Sequence, residues 1–435
     1  MDNSTPPIPE NWAPRFFTIW GGQALSLFGS SLVQFALVWY LTKETGSATV
    51  LALASLAAML PQVLLGPFAG VLVDRWNRRL IMIFADAAIA LTTLVLAVLF
   101  ALGEVQIWQI YLAMAIRSVG AAFHYPAMSA STTLMVPNEH LARIGGLNQT
   151  LQGLMGIVAP PAGALLVSVF PTQAVLMVDV VTALIGITPL LFFSIPQPQR
   201  HTAEAGSPAA APSFWQDARE GLSFMTSWPG LMAVALMAMM INFLLTPTSS
   251  LMPLLITEHF ERGALAFGLT DTFWGVGMIL GGVVLSVWGG FKRKIATSMM
   301  GITGIGVGVL LVGLAPANLF PLALAGMFLA GIMVVFANGP LHALLQTVVP
   351  AEIQGRVLSL IGSAAMAMSP ISLLIAGPVS DKIGIQTWYL VSGVLCIITA
   401  LAGFLLPAVM NIESNHRKTA PADSQPVAGV PVTLD

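Results

Sequence analysis

Charged side chains are scarce in this sequence. Asp, Glu, Lys and Arg make up 8% of its 435 residues, against roughly a quarter in an ordinary soluble protein. Length alone would allow two or three soluble domains, but the polar groups needed to cover their surfaces are missing. The 17 basic residues are outnumbered by 19 acidic ones, for a net charge of −2. No nucleic-acid partner is therefore expected. Cysteine is nearly absent too: Cys396 stands by itself in an apolar stretch, which excludes an intramolecular disulfide and a cysteine metal cluster. Six scattered His residues show no metal-ligand spacing, so no metal is expected. There is no Walker loop, no His-x-x-x-His pair and no Ser/His/Asp cluster. Neither an ATPase nor another enzyme is expected, and no cofactor.

What the chain has in abundance is apolar sequence, at 56% of residues. A helix needs about 20 apolar residues to cross about 30 Å of hydrocarbon. Twelve runs meet that length, at 16–42, 48–72, 80–102, 106–130, 144–169 and 173–195, then 229–256, 265–288, 295–315, 319–348, 357–380 and 386–408. The first run follows a polar, Pro-rich N-terminus and exceeds a signal-peptide core of roughly 7–15 residues, so it reads as a retained span. The expected organisation is a tail (1–15), a six-helix bundle (16–195), a linker (196–228), a second six-helix bundle (229–408) and a second tail (409–435). The linker opens with PQPQRHTAEAGSPAAAP, too polar and Pro-rich to bury a core. After it, Trp215, Ala218, Leu222 and Met225 recur at helical spacing opposite Gln216, Asp217, Arg219 and Glu220. That pattern fits a helix lying on the membrane surface or an ordinary linker helix.

The loops are polarised. With both termini cytoplasmic, thirteen Lys and Arg fall on the inner side, and on the outer side there are Lys43, Arg262 and Lys382. The bias predicts a multi-pass protein of a bacterial cytoplasmic membrane with both ends inside. The halves also repeat. Pro137, Glu139 and Arg143 after span 4 match Pro350, Glu352 and Arg356 after span 10, and the same 213-residue offset carries Phe123 onto Phe336.

A parallel repeat of six spans is the build of major facilitator transporters, and the loop after span 2 resembles their signature. Gly70-Val-Leu-Val-Asp74-Arg75-Trp-Asn77-Arg78-Arg79 follows the pattern Gly-x-x-x-Asp-Arg-x-Gly, with Asn77 at the second Gly, where an Asn tolerates a left-handed backbone. Gly70 would let helices approach closely, Asp74 would sit favourably beside a helix N-terminus, and the Arg cluster would face an anionic leaflet. The resemblance implies a gating role for Gly70, Asp74, Arg75, Arg78 and Arg79; positive-inside topology would account for the Arg residues without it. Segments 16–27, 40–56, 70–86 and 116–130, with QTVVPAEIQGRV at 346–357, resemble the macrolide-efflux proteins of the drug:proton antiporter group. In span 5, Pro160, Pro161 and Gly163 resemble a degraded antiporter motif in which Ala159 and Ala164 replace glycines. The implied fold is an all-α major facilitator protein of twelve helices in two bundles. The implied activity is export of small amphipathic molecules by proton antiport, by a monomer in lipid. Related transporters carry siderophores or lysolipids, so a physiological amphiphile in either direction stays open as the alternative cargo. A receptor or scaffold would leave the repeat and Arg117 unexplained.

Ionisable groups within spans are costly and point to function. They are Asp86, Arg117, His124, Asp179, Asp271 and His342. Arg117 matches the Arg of the family's span-4 motif and is too deep to reach the interface. His124 lies two turns along the same face and suits a proton relay. Depth assigns partners: Arg117 is 11 residues from the outer end of span 4 and Asp179 is 6 from that of span 6. The difference of about 8 Å is one that two side chains bridge if the helices adjoin. The expectation is Arg117 with Asp179 and His124 with Asp86, with Asp86 as the alternative partner of Arg117. Asp271, about two turns from the outer surface, reads as wetted there, and His342 as an inner-end residue. Gln23, Ser26, Ser30 and Gln34 fall on one face of span 1 and read as cavity lining or interhelical hydrogen-bonding groups. Met232, Met237, Met239, Met240, Met252, Met366 and Met368 crowd the second half; a few could give a cavity adaptable walls, while most read as packing.

Overall fold

A computed structural model describes residues 12–197 and 214–413. Among them the chain is helical, in fifteen elements: α1 (Trp12–Thr45), α2 (Ala48–Arg75), α3 (Arg78–Leu102), α4 (Ile107–Met135), α5 (Asn138–Val169), α6 (Thr172–Phe192), α7 (Phe214–Ser227), α8 (Pro229–Ser250), α9 (Met252–Glu258), α10 (Ala264–Trp288), α11 (Lys294–Leu314), α12 (Phe320–Val348), α13 (Ala351–Ile383), α14 (Ile385–Leu405) and α15 (Pro407–Met410). Eleven of these are long and apolar enough to cross a membrane. The twelfth span is α4, 29 residues long; Arg117, His124 and a run of Ser and Thr lower its hydropathy, because that face meets polar neighbours rather than lipid. Leu91, Val287 and Leu405 are more than 60% exposed, as side chains turned toward hydrocarbon should be.

Helix ends follow local chemistry rather than hydropathy. The apolar runs predict starts at 144 and 357, yet α5 and α13 begin six residues earlier. Polar turns continue a helix beyond the bilayer, so hydropathy marks the membrane and not the helix. Pro137 and Pro350 occupy the same cap position with nearly the same backbone angles, φ −57° and ψ 145° against φ −54° and ψ 140°. The sequence repeat is thus a repeat of backbone. The seventh span is broken at Leu251, two residues before Pro253, which cannot donate into the preceding turn. Helix α14 ends ahead of Pro407 for the same reason.

In the first half, α1 packs on α5 and α6, α3 on α4 and α6, and α2 on α4. In the second, α11 packs on α12 and α14, α10 on α12, and α8 on α13 and α14. The halves meet mainly along α5 with α10 and α2 with α13. Helix α7 docks on α13: Glu220 pairs with Arg356 at 2.6 Å and Met225 is buried, while Leu222 is exposed. The fold is an all-α membrane fold of twelve spans, six from each half of the chain.

Candidate functional site

Four helices of the first half converge on one buried carboxylate. Asp179 of α6 is fully buried and sits 2.5 Å from the guanidinium of Arg117 on α4. It also accepts from the Ser30 hydroxyl of α1 at 2.9 Å and the Thr93 hydroxyl of α3 at 3.0 Å. Arg117 donates in addition to Thr93 Oγ1 and to the Ser30 carbonyl. The adjacency of α3, α4 and α6 decides this: the rise along each helix brings the two charges to compatible depth, and packing closes the gap. Gly29 makes the fit possible, since a Cβ there would stand 2.0 Å from Thr182 Oγ1 and 3.1 Å from Asp179 Cα.

A second polar cluster lies toward the face where α1 begins. His124 Nε2 is 3.3 Å from Asp86 Oδ1 and 2.6 Å from Gln23 Oε1. Gln23 Nε2 donates to Asp86 Oδ2 and to the Gly186 carbonyl, both at 3.0 Å. Gln23 therefore ties α1 to α3, α4 and α6 at once. All three side chains border open space.

That space is a cavity of about 910 Å³, within the range of drug-sized pockets. Gln23, Ser26, Ser30 and Gln34 line it, with Asp86, Arg117 and His124. Met128, Thr132 and Thr133 in the last turns of α4, and Leu141 and Gly145 in the first turns of α5, carry the lining to the face where α1 begins. Its far end is shut. Phe35 stacks on Phe267 across the halves with centroids 4.8 Å apart. Gly268 brings α10 against α5, where a Cβ would meet the Pro160 carbonyl and Pro161 Cα at 3.0 Å. Near the same face, Asp381 at the end of α13 caps the N-terminus of α2. It accepts from the Ala48 amide at 2.7 Å, the Thr49 amide at 3.0 Å, the Ser47 hydroxyl at 3.1 Å and the Thr49 hydroxyl.

Several expected placements change. Asp271 is no surface acid: it lines the cavity with Phe267, because the aromatic closure seals it from the nearer face. His342, read as an inner-end residue, keeps that reading: it is exposed and outside the cavity. The Met residues of the second half do not line it; Met114, Met128 and Met155 of the first half do. Gln62, Asn148, Gln149 and Gln152 also line it. Their signal was present as amides within apolar or helical runs, and only their shared face was hidden.

The loop after α2 departs from its expected geometry as well. A Cβ at Gly70 would meet nothing within 4 Å, so close packing at Gly70 is not used in this conformation. Asn77 is extended rather than left-handed and caps α3 by accepting from the Leu80 amide. Arg78 is buried and donates to the Ala130 carbonyl at 2.8 Å. Arg79 donates to the Leu190 and Leu191 carbonyls in the last turn of α6, where a cation meets the negative end of the helix. These two guanidiniums bind helix carbonyls instead of facing a leaflet. Arg75 is exposed, and the side chain of Asp74 falls outside the described set. In the span-5 motif, Pro160 and Pro161 lie within α5, and a Cβ at Gly163 would touch Phe35 at 3.0 Å.

Comparison with known proteins agrees with this architecture. A macrolide efflux protein A of Streptococcus pyogenes is 36% identical over 403 residues, covering 93% of this chain and 98% of that protein. One from Enterococcus faecalis is 34% identical over 328 residues, covering 75% of this chain and all of that protein. The structure of a bacterial homologue of the human lysosomal transporter Spinster, inward-facing and unoccupied, superposes with a TM-score of 0.67 at 13% identity, covering 94% of this chain and 98% of that one. The Major Facilitator Superfamily model matches residues 19–372 and 246–429, and with the Streptococcus pyogenes relative covering 93% of the sequence the chain belongs to that superfamily of membrane transporters.

Proposed function

We propose that the chain exports small amphipathic molecules, macrolides among them, in exchange for protons across a bacterial cytoplasmic membrane. It works as a monomer in the bilayer with both termini in the cytoplasm. The observation that carries this reading is the cavity between the halves, polar along α1, α4 and α5 and apolar at its closed end. It opens on the face that the positive-inside bias assigns to the cytoplasm. That geometry suits cargo taken from the cytoplasm or the inner leaflet. Similarity to macrolide efflux proteins over most of the chain supports the cargo class.

Transport then requires the outer closure to open and the inner mouth to shut. Asp381 on the α2 N-terminus and the Phe35–Phe267 stack hold the outer side closed, and the loop Gly70–Arg79 is assigned to closing the inner side. Pro160, Pro161 and Gly163 sit where α5 meets α10, the seam along which the halves turn. Protons reach the Asp86–Gln23–His124 cluster from the cavity. Neutralising Asp179 frees Arg117 and biases the two faces, which couples proton entry to cargo release. The test is efflux of a radiolabelled macrolide from cells lacking their own pumps, with and without a protonophore. Protonophore-sensitive efflux is expected. No flux would support a scaffold, and inhibition by lysolipid or siderophore would assign a physiological amphiphile.

A further inference from the structure

We propose that the cargo carries a positive charge and that Asp271 is its counter-ion. This rests on the transport reading and adds the charge class of the substrate. Among the described residues that line the cavity, Phe267 and Asp271 are the contribution of the second half, and the rest come from the first. The charges of the first half are already committed. Arg117 is neutralised by Asp179, and Asp86 accepts from Gln23 and faces His124. Asp271 makes no hydrogen bond or ion pair among the described residues. Tyr389, on α14, gives its hydroxyl proton to the Thr248 carbonyl.

A half-buried carboxylate without a partner is costly unless something pairs with it. The described cavity wall offers no spare cation, since its one guanidinium belongs to Asp179. An anionic cargo would be repelled, while a cation would gain an ion pair in a site screened from bulk water. Phe267 lies four residues before Asp271, on the same face of α10, and its stack with Phe35 puts aromatic surface beside the carboxylate. Aromatic faces favour cations, and the apolar ring surface suits the body of an amphiphile. A cation held by Asp271, with its body against the α1 wall of the cavity, touches both halves. Cargo can then stabilise one relation of the halves over another, as a coupled transporter requires.

The experiment uses two probes of equal shape and opposite charge, tetraphenylphosphonium and tetraphenylborate. Binding to the purified full-length protein is followed by tryptophan fluorescence at fixed pH. Wild type is expected to favour the phosphonium by about tenfold or more, and Asp271→Asn to lose most of that preference. Asp271→Glu should keep it, separating charge from shape. Equal affinity of the two probes for wild type would overturn the proposal, as would an Asp271→Asn protein that binds the phosphonium unchanged. If Asp271→Asn does not fold, modification of Asp271 by a hydrophobic carbodiimide in the wild-type protein is read instead: protection by the phosphonium and not by the borate is expected, and equal modification with both probes would overturn the proposal. Absence of macrolide efflux would overturn the transport reading, whereas the binding preference speaks to the charge class.

Discussion

Removing the carboxylate of Asp179 tests the buried pair most directly. Asp179→Ala leaves Arg117 inside the bundle with the Thr93 hydroxyl and the Ser30 carbonyl as acceptors, and takes the carboxylate acceptor from the Ser30 hydroxyl, while the Thr93 hydroxyl keeps the Ile89 carbonyl. Breaking a buried ion pair from one side costs about 3–5 kcal/mol. An unpaired Arg at the bilayer centre costs at least about 2.5–3.5 kcal/mol on the insertion scale. The two acceptors that remain place the expected loss near the lower end, about 3 kcal/mol. Thermal unfolding of purified protein reads that loss, and protonophore-sensitive efflux reads function. The double replacement Arg117→Leu with Asp179→Leu separates the two roles. Removing both charges together is close to neutral for stability, so the double variant should fold about as well as wild type and yet transport nothing. A fully active double variant would refute the coupling role. An Asp179→Ala protein as stable and active as wild type would refute the pair altogether. The charge swap Arg117→Asp with Asp179→Arg is a weaker rescue than the helix depths imply. Helix α1 already approaches α6 so closely that a Cβ at Gly29 would stand 3.1 Å from Asp179 Cα, and a guanidinium stem at 179 forces α1 off α6, at about 1–3 kcal/mol.

Gly29→Val drives a side chain into Thr182 and should lower the unfolding temperature by several degrees, in line with about 1–3 kcal/mol of overpacking; an unchanged melting curve would mean that α1 and α6 are not packed as described. Asp381→Asn weakens the cap on α2, worth roughly 0.5–2 kcal/mol. It should raise the rate at which an added Ser31→Cys thiol is labelled from outside the cell; labelling at the wild-type rate would leave the closure to the aromatic stack. Arg356→Ala removes an exposed pair with Glu220, 33% and 49% accessible, and should change stability by less than about 1 kcal/mol. Topology reporters fused at Lys43, Arg262 and Lys382 should read as external and those at Arg78 and Arg293 as cytoplasmic, and two reversals would overturn the orientation.

Twenty-residue apolar runs leave a chain no other way to satisfy its backbone in lipid than as helices. The twelve spans, the half-to-half repeat at Pro137 and Pro350, and the oddity of Arg117 were therefore all legible without a structure. Depth was legible too, because a helix rises by a constant step, and depth was enough to name Asp179 and Asp86 as candidate partners. Contact between α3, α4 and α6 was not legible, since hydropathy records distance from the membrane surface and nothing about which helices adjoin. For the same reason Asp271 read as a wetted acid two turns from the nearer face. The Phe35–Phe267 stack closes the cavity toward that face, and Asp271 lines the cavity behind it. Arg78 and Arg79 looked like a cluster for the leaflet because sequence shows charge but not the carbonyls of α4 and α6 that end beside them. What a residue is made of and how deep it lies belong to the local chain; what it faces is decided by packing between segments far apart in sequence.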